Sequence, residues 1–391
     1  MKRVLVMLSV LLFAVVSCAQ SLPTLSNKAQ ISVMTCAAGD VLYYAFGHSA
    51  FRVQDPKLGL DIVYNYGTFN FDKPNFYLNF AKGKLVYSLS RRSFERFLFE
   101  YEYEKRWVKE QIFDLTPEET NQFFRFFVKN YLPENRDYLY DPLFNNCSNI
   151  TANLLKEQFG EEIVFHGDHL PKQYTFRQLV RQFLPINSWG SFGIELAFGG
   201  ITDRTATVEE HMFLPYYAME QLQNTTKAGE PLLRRERDIL DYPELKNQST
   251  FMTSPLFWFI VLLLFVLVLT YLDFKHGTYH PWLDFPLFLL SGLAGIAILL
   301  LWLGTDHQVT IKNLNFLWLL PTNTVVAFLL FHFERFQWLS YYFWFALIGI
   351  GLIVLLWILR VQVLSPLNIP LLLLLGVRYL FLLKHPSNKL I

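Results

Sequence analysis

Hydrophobic positions fall along the chain in three regimes. The first is a short apolar run from Val4 to Val16 behind Lys2 and Arg3, closed by small residues, which is the pattern of a signal peptide over residues 1–19. Its end reads two ways. Ser17 and Ala19 form a small-x-small site that would release Gln20, while VVSC would serve as a lipobox on Cys18. The last regime begins at about residue 250, where apolar stretches alternate with short polar links. Five are long enough to cross a bilayer, which takes ~20 residues: roughly 254–272, 284–304, 314–332, 340–359 and 366–383. Trp282, Trp302, Trp318, Trp338 and Tyr341 sit near their ends, as an aromatic belt would, and Pro321 and Asn323 interrupt the third.

Between these lies a segment, 20–250, with the shorter periods of an aqueous domain. ISVMTCAAGD runs into a Gly-Asp turn, YYAFGHSAFRVQD is a strand entered at Gly47, and DIVYNYG is another ending at Gly67, with a hairpin loop at Asp55–Gly59. Alternation puts His48, Ala50 and Arg52 on one face of the second strand, and Val63 and Asn65 on one face of the third. Residues 116–131 open with Thr-Pro-Glu-Glu, a helix N-terminus, and continue as an apolar stripe. A second helix starts around Cys147 and carries Ile150, Leu154, Leu155 and Phe159 inward, with Gly160 as its C-cap. The fold class that follows is α+β, a small antiparallel sheet with packed helices, joined to an all-α membrane domain (251–391) of about five helices.

Orientation follows from charge. If residues 20–250 are exported, five spans leave the C-terminus in the cytoplasm. The inner segments then hold Lys275, Arg335, Arg378, Lys384 and Lys389, and the outer ones only Lys312 and Arg360, in keeping with the positive-inside rule. The expected location is a bacterial inner membrane with the N-terminal domain in the periplasm. The chain is 52% hydrophobic with a formal net charge of +1 and has no basic stripe, so nucleic acid is not indicated. No HExxH, CxxC or P-loop occurs, so no metal and no cofactor is expected. His166 and His169 form an HxxH pair around Gly167 and Asp168, read as solvated histidines in a loop.

Two residues carry the candidate chemistry. Taken alone, Cys147 would be a small buried hydrophobe and His48 a structural histidine on a strand. Together they say more. Cys147 stands at a helix N-terminus, where unpaired N–H groups favour thiolate over thiol. Asp141, Pro142, Asn145 and Asn146 read as turn and N-cap chemistry. The two asparagines also surround Cys147 with polar groups that a packed cysteine does not need, and Asn146 is a candidate substrate contact. A thiolate activated by an imidazole is the arrangement of acyl-transfer catalysis, with N–H groups at the helix start as oxyanion donors.

GHSAFRV followed far downstream by NNCSNIT resembles the circularly permuted branch of the papain-like, NlpC-type superfamily, in which the histidine strand precedes the cysteine helix. Across YNYGTFNF, FGIELAFGGITDR, MFLP and DHQVTIKNLNFLWLLPTN, and in the order signal peptide, exported domain and five-span tail, the chain resembles the Lnb-type lipoprotein N-acyltransferases of Bacteroidota. That resemblance implies a phospholipid as acyl donor, a Cys147 thioester, and the α-amine of a diacylated lipoprotein as acceptor, all at the membrane lipid. It also implies a third polar residue that orients the imidazole. Asn65 on the next strand matches it best, with Asp61 a weaker candidate read as a turn residue. Arg52 is a candidate to hold a phosphate, an ordinary salt bridge being the plain alternative. Asp306 and His307, at the expected outer end of the second span, are candidates for the donor entrance or for a loop anchor. Cys36 is read as a buried strand residue, although an exported compartment permits a disulfide to Cys147. Residues 188–215, with Asp203 beside Arg204, read as a packed loop with an internal ion pair or as the border of a lipid cleft. Two other functions remain open: a membrane-tethered cysteine peptidase or amidase acting on cell-wall peptide, and a non-enzymatic periplasmic binding module.

Overall fold

The structure, a computed structural model, describes residues 23–69, 74–244 and 250–384. The expected signal peptide, with Cys18, lies outside them, as does Lys389. Ten strands occur in chain order among the described residues: β1 (Gln30–Cys36), β2 (His48–Asp55), β3 (Leu60–Thr68), β4 (Val86–Ser93), β5 (Val108–Phe113), β6 (Asp137–Leu139), β7 (Ile163–Phe165), β8 (Thr225–Lys227), β9 (Glu230–Pro231) and β10 (Leu233–Leu240). Seven of them form one antiparallel sheet in the order β10-β5-β1-β2-β3-β4-β6, larger than the three-strand nucleus read from the sequence. The expected alternation holds. Ala50 and Val63 join Met34, Cys36 and Val108 under Phe97 and Tyr101 of the helix Phe94–Tyr103. Phe51, Val53 and Tyr64 face the other way, toward Phe123, Phe127, Leu154 and Leu155.

That second layer is supplied by the helices Pro117–Asn130 and Asn149–Phe159. The first begins at the capping box its sequence announces. Thr116 Oγ1 accepts from the Glu119 N–H at 3.2 Å, and Glu119 Oε2 accepts from the Thr116 N–H at 2.7 Å. Such a cap stabilises a helix by ~1 kcal/mol.

The C-terminal part is helical. Pro255–His276, Pro281–Leu303 and Leu339–Ile358 are long and apolar enough to cross a membrane, and Asn368–Lys384 adds a fourth helix of 17 residues. The third expected span is not one helix. Residues 314–317 form a short 3-10 turn and Asn323–Leu329 a helix of 7 residues, about 10 Å long at 1.5 Å per residue. Pro321 breaks the run, and the fully buried Asn323 amide then binds Ser291, Tyr342 and Tyr379 hydroxyls at 2.7–3.1 Å. Arg378, expected to be an inner loop charge, is buried against Asp284, with Nε and Nη2 donating at 2.6 and 2.7 Å.

Residues 187–204 join the two parts. They are not a loop: Trp189–Ala197 is a helix, and its surroundings bond to the ends of the apolar helices. Trp189 Nε1 donates to the Thr253 carbonyl at 2.9 Å, the Gly199 and Gly200 N–H groups donate to Val309 and Lys312 carbonyls, and Asn313 Nδ2 donates to the Leu196 and Ala197 carbonyls. The expected Asp203–Arg204 pair does not form. Asp203 binds the buried Arg177 at 2.8 Å, while Arg204 turns outward to Glu210.

Candidate active site

Three chain segments meet at the end of the sheet. β2 starts at His48, β3 carries Asn65, and the turn 141–148 delivers Cys147. That turn is built from local polar chemistry. Asp141 Oδ1 accepts from the Leu143 and Phe144 N–H groups, both at 2.9 Å, so the chain reverses before the cysteine. The helix then begins at Asn149, two residues after Cys147, and not at Cys147 itself.

His48 Nε2 lies 2.6 Å from Asn65 Oδ1. An amide oxygen can only accept, so Nε2 carries the proton in this bond and Nδ1 is left for the thiol, to which His48 is also hydrogen-bonded. Burial by itself would push the Cys147 thiol up. The charge and hydrogen bond of His48, then the Ser49 N–H and the Ser148 hydroxyl, outweigh it and hold its pKa below the ordinary thiol value. His48 responds in the opposite sense. Burial lowers it, but Cys147 and Asn65 more than compensate and raise it above the usual imidazole value. The two shifts together favour a thiolate–imidazolium pair, titrating as a unit.

Four features of this site escaped the sequence reading. The Ser49 and Ser148 hydroxyls bond to each other at 2.7 Å beneath the thiolate, although each serine is visibly adjacent to a catalytic candidate in GHS and NCS. Gly67, at φ +86°, sits in a bulge between β3 and β4. A Cβ there would lie 3.6 Å from Cys147 Cβ and 3.7 Å from His48 Cε1, so its absence leaves the space over both reacting groups open. Arg106, fully buried, donates Nε and Nη2 to the Ala37 carbonyl at 2.9 and 2.6 Å, which pins the segment that leads into His48. Tyr87 and Tyr140, stacked at 4.2 Å between ring centroids, lie within the field of the thiolate.

Other expected residues have different duties. Asn146 does not offer its amide to a substrate. It is buried, its Oδ1 accepts from the Ser148 and Asn149 N–H groups at 2.8 and 3.1 Å, and its Nδ2 donates to the Pro142 and Phe213 carbonyls. Those two backbone N–H groups are therefore taken, and the oxyanion donors expected at the helix start shrink to one. Among the described residues the Cys147 N–H donates to no acceptor. Arg52 is not a free phosphate ligand. It is buried with its guanidinium 3.4 Å over the Phe94 ring, donating to Asp61 twice at 2.7 Å and to Glu110 at 3.1 and 3.2 Å. Asp61 is thereby occupied with Arg52, not with His48. Asp306 and His307 do not reach the thiol's immediate partners; they contact residues 80–84 at the edge of the N-terminal domain. His166 is exposed and bonds to Thr226 Oγ1, but both His169 ring nitrogens are shielded and unpartnered, so the pair is not simply solvated. No group that could hold a metal ion occurs among the described residues.

Cys36 stands directly opposite His48 in the β1–β2 register, yet it is a free, buried thiol. Burial pushes it up to about 12, and the Tyr101 hydrogen bond and Arg106 charge do not compensate. Cys147 is likewise free, so no disulfide masks it.

The site end of the domain is also its membrane end. Leu42, on the segment that leads into His48, packs against Gly190, and the neighbouring Trp189 and Phe192 rings lie 5.6 and 4.9 Å from Phe259 in the first apolar helix.

Residues 24–182 match the family model of the Lnb N-terminal periplasmic domain, and residues 246–389 match that of the Lnb transmembrane domain. No curated protein and no solved structure matches the chain.

Proposed function

The chain is an Lnb-type membrane protein with a periplasmic N-terminal domain, and from that premise we propose that it is a lipoprotein N-acyltransferase working through a Cys147 thioester. Cys147 Sγ attacks the carbonyl carbon of a phospholipid ester. The oxyanion that develops is met by the Cys147 N–H. When the intermediate collapses, the C–O bond breaks and the imidazolium of His48 protonates the leaving alcohol, releasing a lysophospholipid. The α-amine of a diacylglyceryl-cysteine then attacks the thioester. His48, now neutral, takes the amine proton, and the C–S bond breaks to give an amide and the resting thiolate. Asn65 holds the imidazole in the tautomer both steps require.

The observation that carries this reading is the hydrogen-bonded Cys147–His48–Asn65 line at the end of the domain that touches the membrane helices. A cell-wall peptidase would need a polar, water-open cleft; the stacked Tyr87 and Tyr140 rings near this thiol support an apolar one instead. The same reading takes the C-terminus to be cytoplasmic, and the contacts of the 305–313 and 360–367 segments with the N-terminal domain support it.

The test is to express the protein in cells depleted of their own N-acyltransferase and weigh a reporter lipoprotein. Wild type should add a third acyl chain; an inserted, stable protein that adds none rules the reading out.

A further inference from the structure

We propose that the short helix Phe76–Ala81 beds in the outer leaflet of the membrane, with phospholipid acyl chains as its occupant, and that it passes those chains to Cys147 along a row of aromatic rings. The proposal deepens the transferase reading and rests on it for the delivery step.

The helix is apolar where a water-facing helix would be polar. Tyr77, Leu78 and Phe80 are 73%, 51% and 51% exposed, and Val41, Leu42 and Tyr43 extend the exposed apolar surface toward the site. A contiguous patch of this kind on a periplasmic domain marks a contact with another apolar phase. Its position names that phase. The Asp306 N–H donates to the Lys82 carbonyl at 2.9 Å, and Phe80 lies edge-on to His307 at 6.2 Å. A Cβ on Gly83 would stand 2.6 Å from the His307 nitrogen, so the two backbones touch directly. Asp306 and His307 follow the membrane-spanning helix Pro281–Leu303, whose last turn exposes Leu300 and Leu303. The short helix is therefore held at the level where a span leaves the lipid. Lys82 and Lys84, both exposed, follow it directly, and long basic side chains of this kind settle at lipid phosphates.

The ring contacts run inward from there. Phe76 lies 6.3 Å from Phe69, Phe69 lies 5.2 Å from Tyr87, and Tyr87 stacks on Tyr140 at 4.2 Å beside the thiolate. A chain leaving the leaflet at Phe76 can stay on aromatic surface until its carbonyl reaches Cys147.

Photo-crosslinking in native membranes tests the placement. Leu78, Phe80 or Leu58 is replaced by p-benzoylphenylalanine in the full chain carrying Cys147→Ser, with lipid phosphate radiolabelled. Leu58 is a comparably exposed control at the β2–β3 hairpin, roughly 25 Å from His48 at 3.3 Å per residue. Lipid adducts at 78 and 80 with only background at 58 are expected. Background labelling at 78 and 80, or equal labelling at all three, overturns the placement. Because this chain cannot transfer, the result does not depend on the chemistry; adducts without any transfer by wild type would sink the transferase reading alone. Delivery is tested with Leu78→Asp combined with Phe80→Asp, compared by thermal unfolding. A folded variant that loses most of its transfer supports delivery, and full transfer overturns it.

Discussion

Two cysteines lie next to the same histidine and behave in opposite ways. Cys36, at the end of β1, is the direct cross-strand partner of His48. Cys147, in the turn before a helix, is far from it in sequence. Burial pushes both thiols up, yet Cys36 ends at about 12 and Cys147 ends below the ordinary value. The difference lies in what each sulfur meets. Cys36 is sealed against Phe97 and Tyr101, where a thiolate would have only a phenol and the charge of a guanidinium already bonded to the Ala37 carbonyl. Cys147 meets the imidazole itself, the Ser49 N–H and the Ser148 hydroxyl. Register beside a histidine does not activate a thiol; donors aimed at the sulfur do.

The sharpest break in this comparison is Cys147→Ala, expected to abolish transfer completely in the reporter assay while Cys36→Ala retains it. Next comes His48→Ala. It should lower transfer by ~10²–10⁴-fold, the usual worth of a general acid–base group. It should also change the pH dependence of Cys147 alkylation. In wild type the thiolate forms below the ordinary thiol range and its partner imidazolium persists above the usual imidazole range, so reactivity should already be present on the acid side of the ordinary thiol pKa. Without His48 burial acts with less opposition, and the inflection should move upward. An unmoved inflection would mean that His48 does not set the thiol.

Smaller effects sharpen the same contrast. Asn65→Ala removes one hydrogen bond to the imidazole, worth ~1 kcal/mol, so a loss of about fivefold is expected, read as a fall in kcat. Gly67→Ala adds a methyl over the site at a positive φ, and should slow alkylation of Cys147 by a bulky reagent more than by a small one. Smallest for chemistry is Cys36→Ala. It should leave the Cys147 inflection in place and reduce stability by about 1 kcal/mol through the lost packing, seen in thermal unfolding.

Much of the frame was legible because it is local. The β1–β2–β3 meander, its alternation and the Thr116 capping box are written in adjacent residues. The edge strand LRRERDIL was not, because its charges hide a strand that pairs with β5 only in the folded sheet. For Asn146 and Arg52 the turn-and-cap and salt-bridge readings hold, and only part of their bonding was hidden, for the same reason. Beside their local partners, Asn146 also bonds to the Phe213 carbonyl and Arg52 to Glu110, 67 and 58 residues away. The interruption of the third span was legible in Pro321 and Asn323, but not the hydroxyls from three other segments that satisfy the break.

The central claim is that Cys147 carries an acyl group between two lipids. The direct measurement is the mass of the purified full chain after incubation with phospholipid and no acceptor. One hydroxylamine-labile acyl chain on Cys147 is expected, retained in Cys36→Ala and absent in Cys147→Ala. Transfer competence with no adduct on Cys147, or an adduct on another residue, would contradict it.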